Sequence, residues 1–436
     1  MRRTSSGIHL TLLLVGMLLL AFSIHSVTSE PTLWIVDDDG PADFTTIQEA
    51  INAANDGDTI EVRAGIYYEH LDLNKSITLV GQSKNSTKID GSVNGTVVTI
   101  TRDNVKVTGF TIQNSGSAPE KGVYLDNVNH CNITGNTIAN NSFAFRVWNS
   151  CNNNTISRNN ITDNLAGLYL MGSSNNITGN HIVNNQWGIS LYSSSTDNII
   201  SNNNIANEGG AGVSFYASST NNTIVNNNIT SHYTGIYIDQ STNNRLYHNN
   251  IFNNIKQVTS KNYSNAWDNG VEGNYWSNYT GTDTSNDGIG DSPHTIDASN
   301  QDNYPLIGKL SNFAATAEQN VHIISNSTIS TFQYNDTAIL FNVSGENNTV
   351  GFCRIMVPSA LINDTFRVFV NGTEILPPPE PLPSSTSTHN YIYFTYNHST
   401  QDVIIIPEFS LFSLALGTIV ILMTALVYSR AKKLPS

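Results

Sequence analysis

A six-residue motif, Ile-x-x-Asn-x-Ile, returns at nearly constant spacing through the middle of the chain. This constrains the fold more than any other feature. It reads Ile133-Thr134-Gly135-Asn136-Thr137-Ile138 in its first full copy and recurs around Asn159, Asn180, Asn203, Asn227 and Asn249, at steps of 23, 21, 23, 24 and 22 residues. Ile or Leu stands three before each Asn (Ile133, Ile156, Ile177, Ile200, Ile224, Leu246), and Ile stands two after. Alternation inside each copy is the period-two signature of a strand. Recurrence at about 22 residues marks a solenoid, whose coils stack at ~4.8 Å. Apolar pairs such as Phe145/Val147, Leu168/Leu170, Ile189/Leu191, Val213/Phe215 and Ile236/Ile238 supply a third strand per coil. The expected fold class is therefore all-β, a right-handed parallel β-helix over residues 59–310. Leucine-rich repeats have similar length, but no helical period appears within these units.

The repeated asparagines Asn136, Asn159, Asn180, Asn203, Asn227 and Asn249 have a structural reading. Asn tolerates left-handed backbone at a bend, and stacked amides can donate to and accept from the copies above and below. Upstream, Val107-Thr108-Gly109-Phe110-Thr111-Ile112 fits the motif with Phe in the Asn place. Earlier still, Thr46-Ile47-Gln48-Glu49 reads as a capping box. Ile47, Ala50, Ile51 and Ala54 share one helical face, which predicts a helix over 45–55 within an N-terminal cap (30–58) that closes the open end of the solenoid.

The ends of the chain indicate its compartment. Arg2 and Arg3 precede an apolar run to about Ile24 and small residues up to Ser29, the pattern of a secretory signal over 1–29. Residues 407–429 predict a transmembrane anchor, and the basic tail 430–436 predicts a cytoplasmic flank. The intervening chain is expected outside the cell. From 318 to 403 the Asn repeat gives way to alternating runs at 338–343, 352–357, 366–370 and 391–396, read as a small antiparallel β-sandwich. Only 12% of residues are charged, with a net charge of −14 and 20 Lys+Arg. That balance excludes nucleic acid as a partner.

Two resemblances follow from these residues. Trp34-Ile35-Val36-Asp37-Asp38-Asp39-Gly40-Pro41, Phe44 to Ile51 and Gly57-Asp58-Thr59-Ile60 resemble the opening of NosD-type β-helix proteins, and Gly273-Asn274-Tyr275-Trp276 through Asp302-Asn303-Tyr304-Pro305-Leu306 resembles their closing segment. The resemblance covers about 32–310 and implies the fold. It brings in a copper-maturation role for one member and a wider class of carbohydrate-binding and sugar-hydrolysing β-helices. Pro407-Glu408-Phe409 resembles the PEF-type sorting signals of archaeal surface proteins, which implies a sorting peptidase as a partner.

The repeat also aligns the outward side chains of the strand after each Gly or Ala. One row reads Tyr124, Arg146, Tyr169, Ser190, Ser214, Tyr237; its neighbour reads Asp126, Trp148, Met171, Tyr192, Tyr216, Asp239, with Trp187 beside them. Flat rings with polar edges suit sugar rings, which makes a glycan or cell-envelope polymer the expected partner of Tyr124, Arg146, Trp148, Tyr169, Trp187, Tyr192, Tyr216, Tyr237 and Asp239. The competing reading is that aromatics merely stabilise exposed strands. A polysaccharide lyase or glycoside hydrolase would need converging carboxylates. Asp126, Asp163, Asp197, Glu208 and Asp239 fall on different faces or several coils apart, so no catalytic residue is assigned. Copper handling would need clustered soft ligands, and Met171, His181, His232 and His248 fall in different rows.

Asp283, Ser285, Asp287, Ile289 and Asp291 match ligand positions of a calcium loop, with His294 where the last acid belongs. A structural calcium site and an Asx-turn loop are both open readings. Cys131 and Cys151 lie one coil apart but about three residues out of register, which argues against a disulfide. Cys353 is read as a small buried apolar residue. Sequons at Asn74, Asn132, Asn262, Asn342, Asn371 and Asn397 fit a surface glycoprotein.

Overall fold

The computed structural model describes residues 30–408 apart from 208, 262, 363 and 364. The expected signal (1–29) and the apolar stretch from 409 lie outside the described residues. Among the described residues no helix is long and apolar enough to cross a membrane.

The chain winds into the expected parallel β-helix of three sheets. The first sheet has ten strands, from Leu33–Val36 to Arg245–Tyr247. The second also has ten, from Gly65–Tyr67 to Tyr275–Trp276. The third has nine, from Leu71–Leu73 to Lys256–Ser260. Pairing is parallel and in register with the repeat: Ile133, Ile156, Ile177, Ile200, Ile224 and Leu246 stack in the first sheet. Ile138, Ile161, Ile182, Ile205, Ile229 and Ile251 stack in the second. These side chains are buried in one continuous core. Each apolar position thus meets its own kind from the next coil, which is why a short alternating unit suffices.

The turns hold the finding that most sharpens the sequence reading. The ladder asparagines are not themselves left-handed. The left-handed residue is the one before each of them: Gly135, Arg158, Gly179, Asn202, Asn226 and His248 have φ between 53° and 70°. That residue turns the chain so that the next side chain points inward. Asn136 then donates Nδ2 to Oδ1 of Asn159 at 3.3 Å, and the row continues through Asn180, Asn203, Asn227 and Asn249 at 3.0–3.1 Å. From Asn159 on, each Oδ1 also accepts the backbone N–H of the preceding Asn, Asn136 Oδ1 accepts that of Phe110, and each Nδ2 also reaches a carbonyl of the coil before, as in Asn203 to Ile177 at 2.9 Å. In the amides from Asn159 on, two lone pairs and two N–H groups are all used. The row runs on through Asn274 to Asp302, where a carboxylate can end it because only acceptance is needed. Burial raises the Asp302 carboxyl to about 6.

Two further ladders stand at the other corners. Asn141, Asn164 and Asn185 link the second and third sheets. Asn154, Asn175, Asn198, Asn222, Asn244 and Asn265 link the third and first. Cys131 stands in register with Asn154, whose Oδ1 accepts its N–H at 2.9 Å, and not with Cys151. All three cysteines are buried free thiols.

The N-terminal helix is Ile47–Ala53, shorter than the predicted 45–55. Thr46 Oγ1 accepts from Glu49 N–H at only 3.4 Å, and the Glu69 carboxylate, one coil on, takes the N–H groups of Ile47 and Gln48 at 2.8 and 2.9 Å. At the far end Trp267 and Trp276 lie across the last coils as buried lids.

The β-sandwich begins at Lys309 and ends at Pro407, wider than the expected 318–403. Its sheets have four and five antiparallel strands. Lys309–Ala314 pairs with Asn320–Ser325, so residues assigned by sequence to the end of the β-helix open the sandwich instead. Pro407 pairs with Phe366, and the Glu408 N–H reaches Thr365 O, so these two residues belong to the sandwich and not to the predicted anchor.

The two units are joined by a buried ion pair. Glu272 of the β-helix accepts from Arg354 Nε of the sandwich at 2.7 Å and bonds His248 Nε2 at 2.9 Å. Burial alone would raise the Glu272 carboxyl, but the His248 hydrogen bond and the Arg354 charge outweigh it and hold it at about 2.

Asn203→Ala should lower unfolding stability by at least about 2 kcal/mol, because it leaves the buried donors of Asn180 unmet, whereas the outward Asn204→Ala should change it by less than about 0.5 kcal/mol. Urea unfolding followed by circular dichroism reads the difference. Arg354→Met should cost about 3 kcal/mol at neutral pH by leaving the buried Glu272 carboxylate with His248 as its one side-chain partner. Glu272 has its folded pKa depressed to about 2 from 4.5, so its contribution is full above pH 4.5 and is lost as pH falls toward 2. The gap between wild type and Arg354→Met should therefore narrow over that window in thermal melts.

Candidate functional site

The third sheet carries the outward aromatics. Tyr124, Arg146, Tyr169, Ser190, Ser214 and Tyr237 are in register, as expected. The second expected row is not continuous. After Val147 the strand Phe143–Asn152 bulges, with Asn149 and Ser150 left-handed, and Trp148 does not pass its register on to Met171. Instead the two rows merge. Ser190 and Ser214 are almost fully covered, and the small serines let Tyr192 and Tyr216, just beyond their strands, share one line with the row-one rings.

The result is a single aromatic column. Ring centroids lie 5.8 Å apart between Trp148 and Tyr169, 4.2 Å between Tyr169 and Tyr192, 4.5 Å between Tyr192 and Tyr216, and 5.3 Å between Tyr216 and Tyr237. The two stacked pairs have nearly parallel planes, at 15° and 20°. These separations bracket the ~4.8 Å rise of one coil, so the backbone spacing itself sets the stack. Over its four steps the column runs roughly 19 Å along the solenoid. Burial raises the Tyr169 and Tyr192 phenols, Tyr192 also through the neighbouring Tyr169 and Tyr216, so both remain neutral hydrogen-bonding groups.

Arg146 heads the column. Its guanidinium carbon lies 4.1 Å from the Trp148 ring centroid and 6.0 Å from that of Tyr169. Tyr124 lies one coil upstream beneath Lys121, and Asp126 accepts from Asn149 Nδ2 at 2.7 Å. At the other end Asp239 pairs with Lys261 at 2.7 Å. Trp187 stands apart. It is 39% exposed, pairs in register with Ala166, and lies against Gly210, where a Cβ would come within 2.8 Å of its ring.

The acids do not converge. Asp163 and Asp197 are exposed left-handed corner residues. Asp126 and Asp239 are five coils apart in the register, roughly 24 Å at ~4.8 Å per coil, where paired-carboxylate hydrolysis needs about 5–9.5 Å. Glu208 lies outside the described residues.

The candidate calcium loop is internally bonded. Asp283 accepts from the N–H groups of Asp287 and Gly288 at 3.0 and 2.8 Å, and Asp291 from Thr284 N and Oγ1 at 2.7 and 2.8 Å. Ser285 Oγ reaches both carboxylates. The Asp287 carbonyl accepts from Arg354 Nη1 at 2.7 Å, and Ile289 packs with Leu306 and Leu310. The loop thus seats the guanidinium that joins the two units. His294 packs on Trp276 at 4.7 Å.

A copper site does not fit these residues. Among the described residues the one set of three His, Cys, Asp or Glu ligand atoms within 4.8 Å of one another is Asp37, Asp38 and Asp39, an all-oxygen set unlike the soft donors copper prefers. His181 is exposed on the second sheet, His232 is a buried corner residue and His248 is bonded to Glu272.

Sequence reasoning missed the merging of the rows. The signal was present in the serines at Ser190 and Ser214, which leave room for a neighbour to lean over. A second signal lies in the sequons. Asn132 and Asn176 head sequons on the first sheet and Asn160 and Asn228 on the second, while no strand of the third sheet carries one.

Residues 51–281 match the family model described as periplasmic copper-binding protein (NosD). A cell surface glycoprotein of Methanothermus fervidus is 40% identical over 101 residues, covering 22% of this chain and 16% of that protein. A probable pectinesterase of Arabidopsis thaliana is 31% identical over 110 residues, covering 22% of this chain and 33% of that protein. The chain therefore spans less than two thirds of either relative's own length. Among solved structures, an alginate lyase from Paenibacillus aligns with a TM-score of 0.40 at 16% identity, over 52% of this chain and 94% of that one. Carrot pectin methylesterase aligns at 0.33 and 15% identity, over 62% and 93%.

Proposed function

The chain belongs to the NosD family, and from that premise we propose that it is a cell-surface protein whose aromatic column holds a glycan chain without cleaving it. The observation that carries this reading is the unbroken contact of five rings, Trp148 to Tyr237, on the one of the three β-helix sheets whose strands hold no sequon. Sugar rings present apolar faces that stack on such a surface and hydroxyls that bond phenol edges. A column that advances with the coils favours a polymer lying along the solenoid axis. Glycans at Asn132 and Asn176 on the first sheet and at Asn160 on the second leave this third face free for it.

The surface location in this proposal rests on the secretory pattern at the N-terminus and on the relative named a cell surface glycoprotein. The apolar stretch beyond 408 serves as the tether, and the sandwich as the spacer above it. Among the described residues, the wide separation of Asp126 and Asp239, five coils apart in the register, favours binding over chemistry.

A glycan array probed with the purified protein tests the reading. Tyr192→Ala, at the centre of the stack, and Trp148→Ala, at its head, should each weaken binding by about tenfold or more, with no change in melting temperature beyond a few degrees. Binding that survives both substitutions overturns the proposal. New reducing ends or unsaturated products on incubation with the bound polymer would make the protein an enzyme and overturn the non-catalytic part.

A further inference from the structure

A second site lies away from the aromatic column. Where the first sandwich strand, Lys309–Ala314, crosses the outer face of the second sheet, it leaves a cleft of about 640 Å³. That lies within the ~300–1,000 Å³ of small-molecule sites. Asn202, Asn226 and Asn228 line it from the β-helix, and Lys309 and Asn312 from the sandwich.

The cleft is held open by bonds on both flanks. The Asn250 side chain exchanges two hydrogen bonds with the Leu310 backbone, both at 2.8 Å, as a neighbouring strand would. It also donates to Asn228 Oδ1 at 2.7 Å, and Asn312 Nδ2 donates to Asn202 Oδ1 at 3.0 Å. The buried Arg354–Glu272 pair fixes the sandwich from its other side. The walls are thus set before any ligand arrives, which spares the cost of ordering them.

Its chemistry is selective. Lys309 Nζ lies 3.7 Å from the Phe252 ring centroid, and among the described residues no carboxylate pairs with it. Partial burial lowers its pKa with no anion to offset the loss of water. A cation in that position favours an anionic ligand. The polar lining includes the amides of Asn202, Asn226, Asn228 and Asn312, which bring donors and acceptors in equal number to a ring of hydroxyls, and Phe252 and Ile329 stand among its apolar groups. The volume is far larger than a bare inorganic anion fills.

We propose that this cleft binds an acidic sugar unit, its carboxylate paired with Lys309 and its hydroxyls bonded by the amides of Asn202, Asn226 and Asn228. The site is independent of the aromatic column and takes a single unit or a chain end.

The test is saturation-transfer NMR and titration with galacturonate and galactose. It uses the full-length protein made in a host without N-glycosylation, because Asn228 heads a sequon. Galacturonate should bind about tenfold or more tightly than galactose, the scale of one charge-assisted hydrogen bond. Lys309→Gln should abolish that preference while Lys309→Arg keeps it, and raising the salt concentration should weaken it in the wild type, which needs no variant to fold. Tyr192→Ala should leave it intact. Equal binding of the two sugars overturns the proposal, as does a preference that survives Lys309→Gln. Inorganic phosphate displacing galacturonate at equal concentration would reduce the cleft to an anion site and overturn it too. Loss of the preference in Tyr192→Ala would move the acidic sugar to the column and likewise overturn its assignment to the cleft.

Discussion

The buried amide ladder is the interaction on which the rest of this structure depends. A solenoid must turn the chain at three corners per coil, and every turn brings polar backbone groups inside. From Asn159 to Asn274 each amide saturates its two donors and two acceptor pairs with the coil on either side. An unpaired amide there would cost about 1–3 kcal/mol. From the coil of Asn136 onward the ladders therefore settle the register of each coil against the next, and a slip of one residue would break all of them together. The left-handed residue before each Asn is part of the same device, since it aims the amide inward.

Once the coils are locked, the outer surface becomes periodic as well. The aromatic column follows from that periodicity. Its ring separations track the coil rise because each tyrosine stands on its own coil, and the contact is closed by leaning across Ser190 and Ser214. The ladders do no chemistry, yet they position the groups that could. The same locked second sheet supplies the floor of the cleft beside Lys309, where Asn228 and Asn250 stand in register.

The junction obeys different rules. Nothing periodic joins the β-helix to the sandwich. The joint is one buried ion pair, Arg354 with Glu272, seated by the Asp283–Asp291 loop through the Asp287 carbonyl, plus the strand-like grip of Asn250 on Leu310. A loop whose sequence fits both a calcium site and an Asx-turn is bonded to itself in the fold and lends its Asp287 carbonyl to the guanidinium. Buried charge pairs of this kind fix an arrangement more than they stabilise it, and here the arrangement creates the cleft.

The sequence by itself determined the winding, the inward isoleucines, the Asn136 row and the identity of the sheet that carries the rings. All of these are periodic, and stacking converts a spacing in sequence directly into adjacency in space. The two other ladders were equally periodic, but their asparagines, such as Asn154 and Asn164, lack an invariant apolar frame on both sides and blend into an Asn-rich background. Only the tertiary structure decided what breaks the period. It merged two outward rows through the bulge at Trp148, moved the sandwich boundary to Lys309, and brought Glu272 to Arg354 and Lys309 to Phe252. Those contacts join residues tens of positions apart with no repeat between them. They depend on how two finished units pack, which no spacing along the chain encodes.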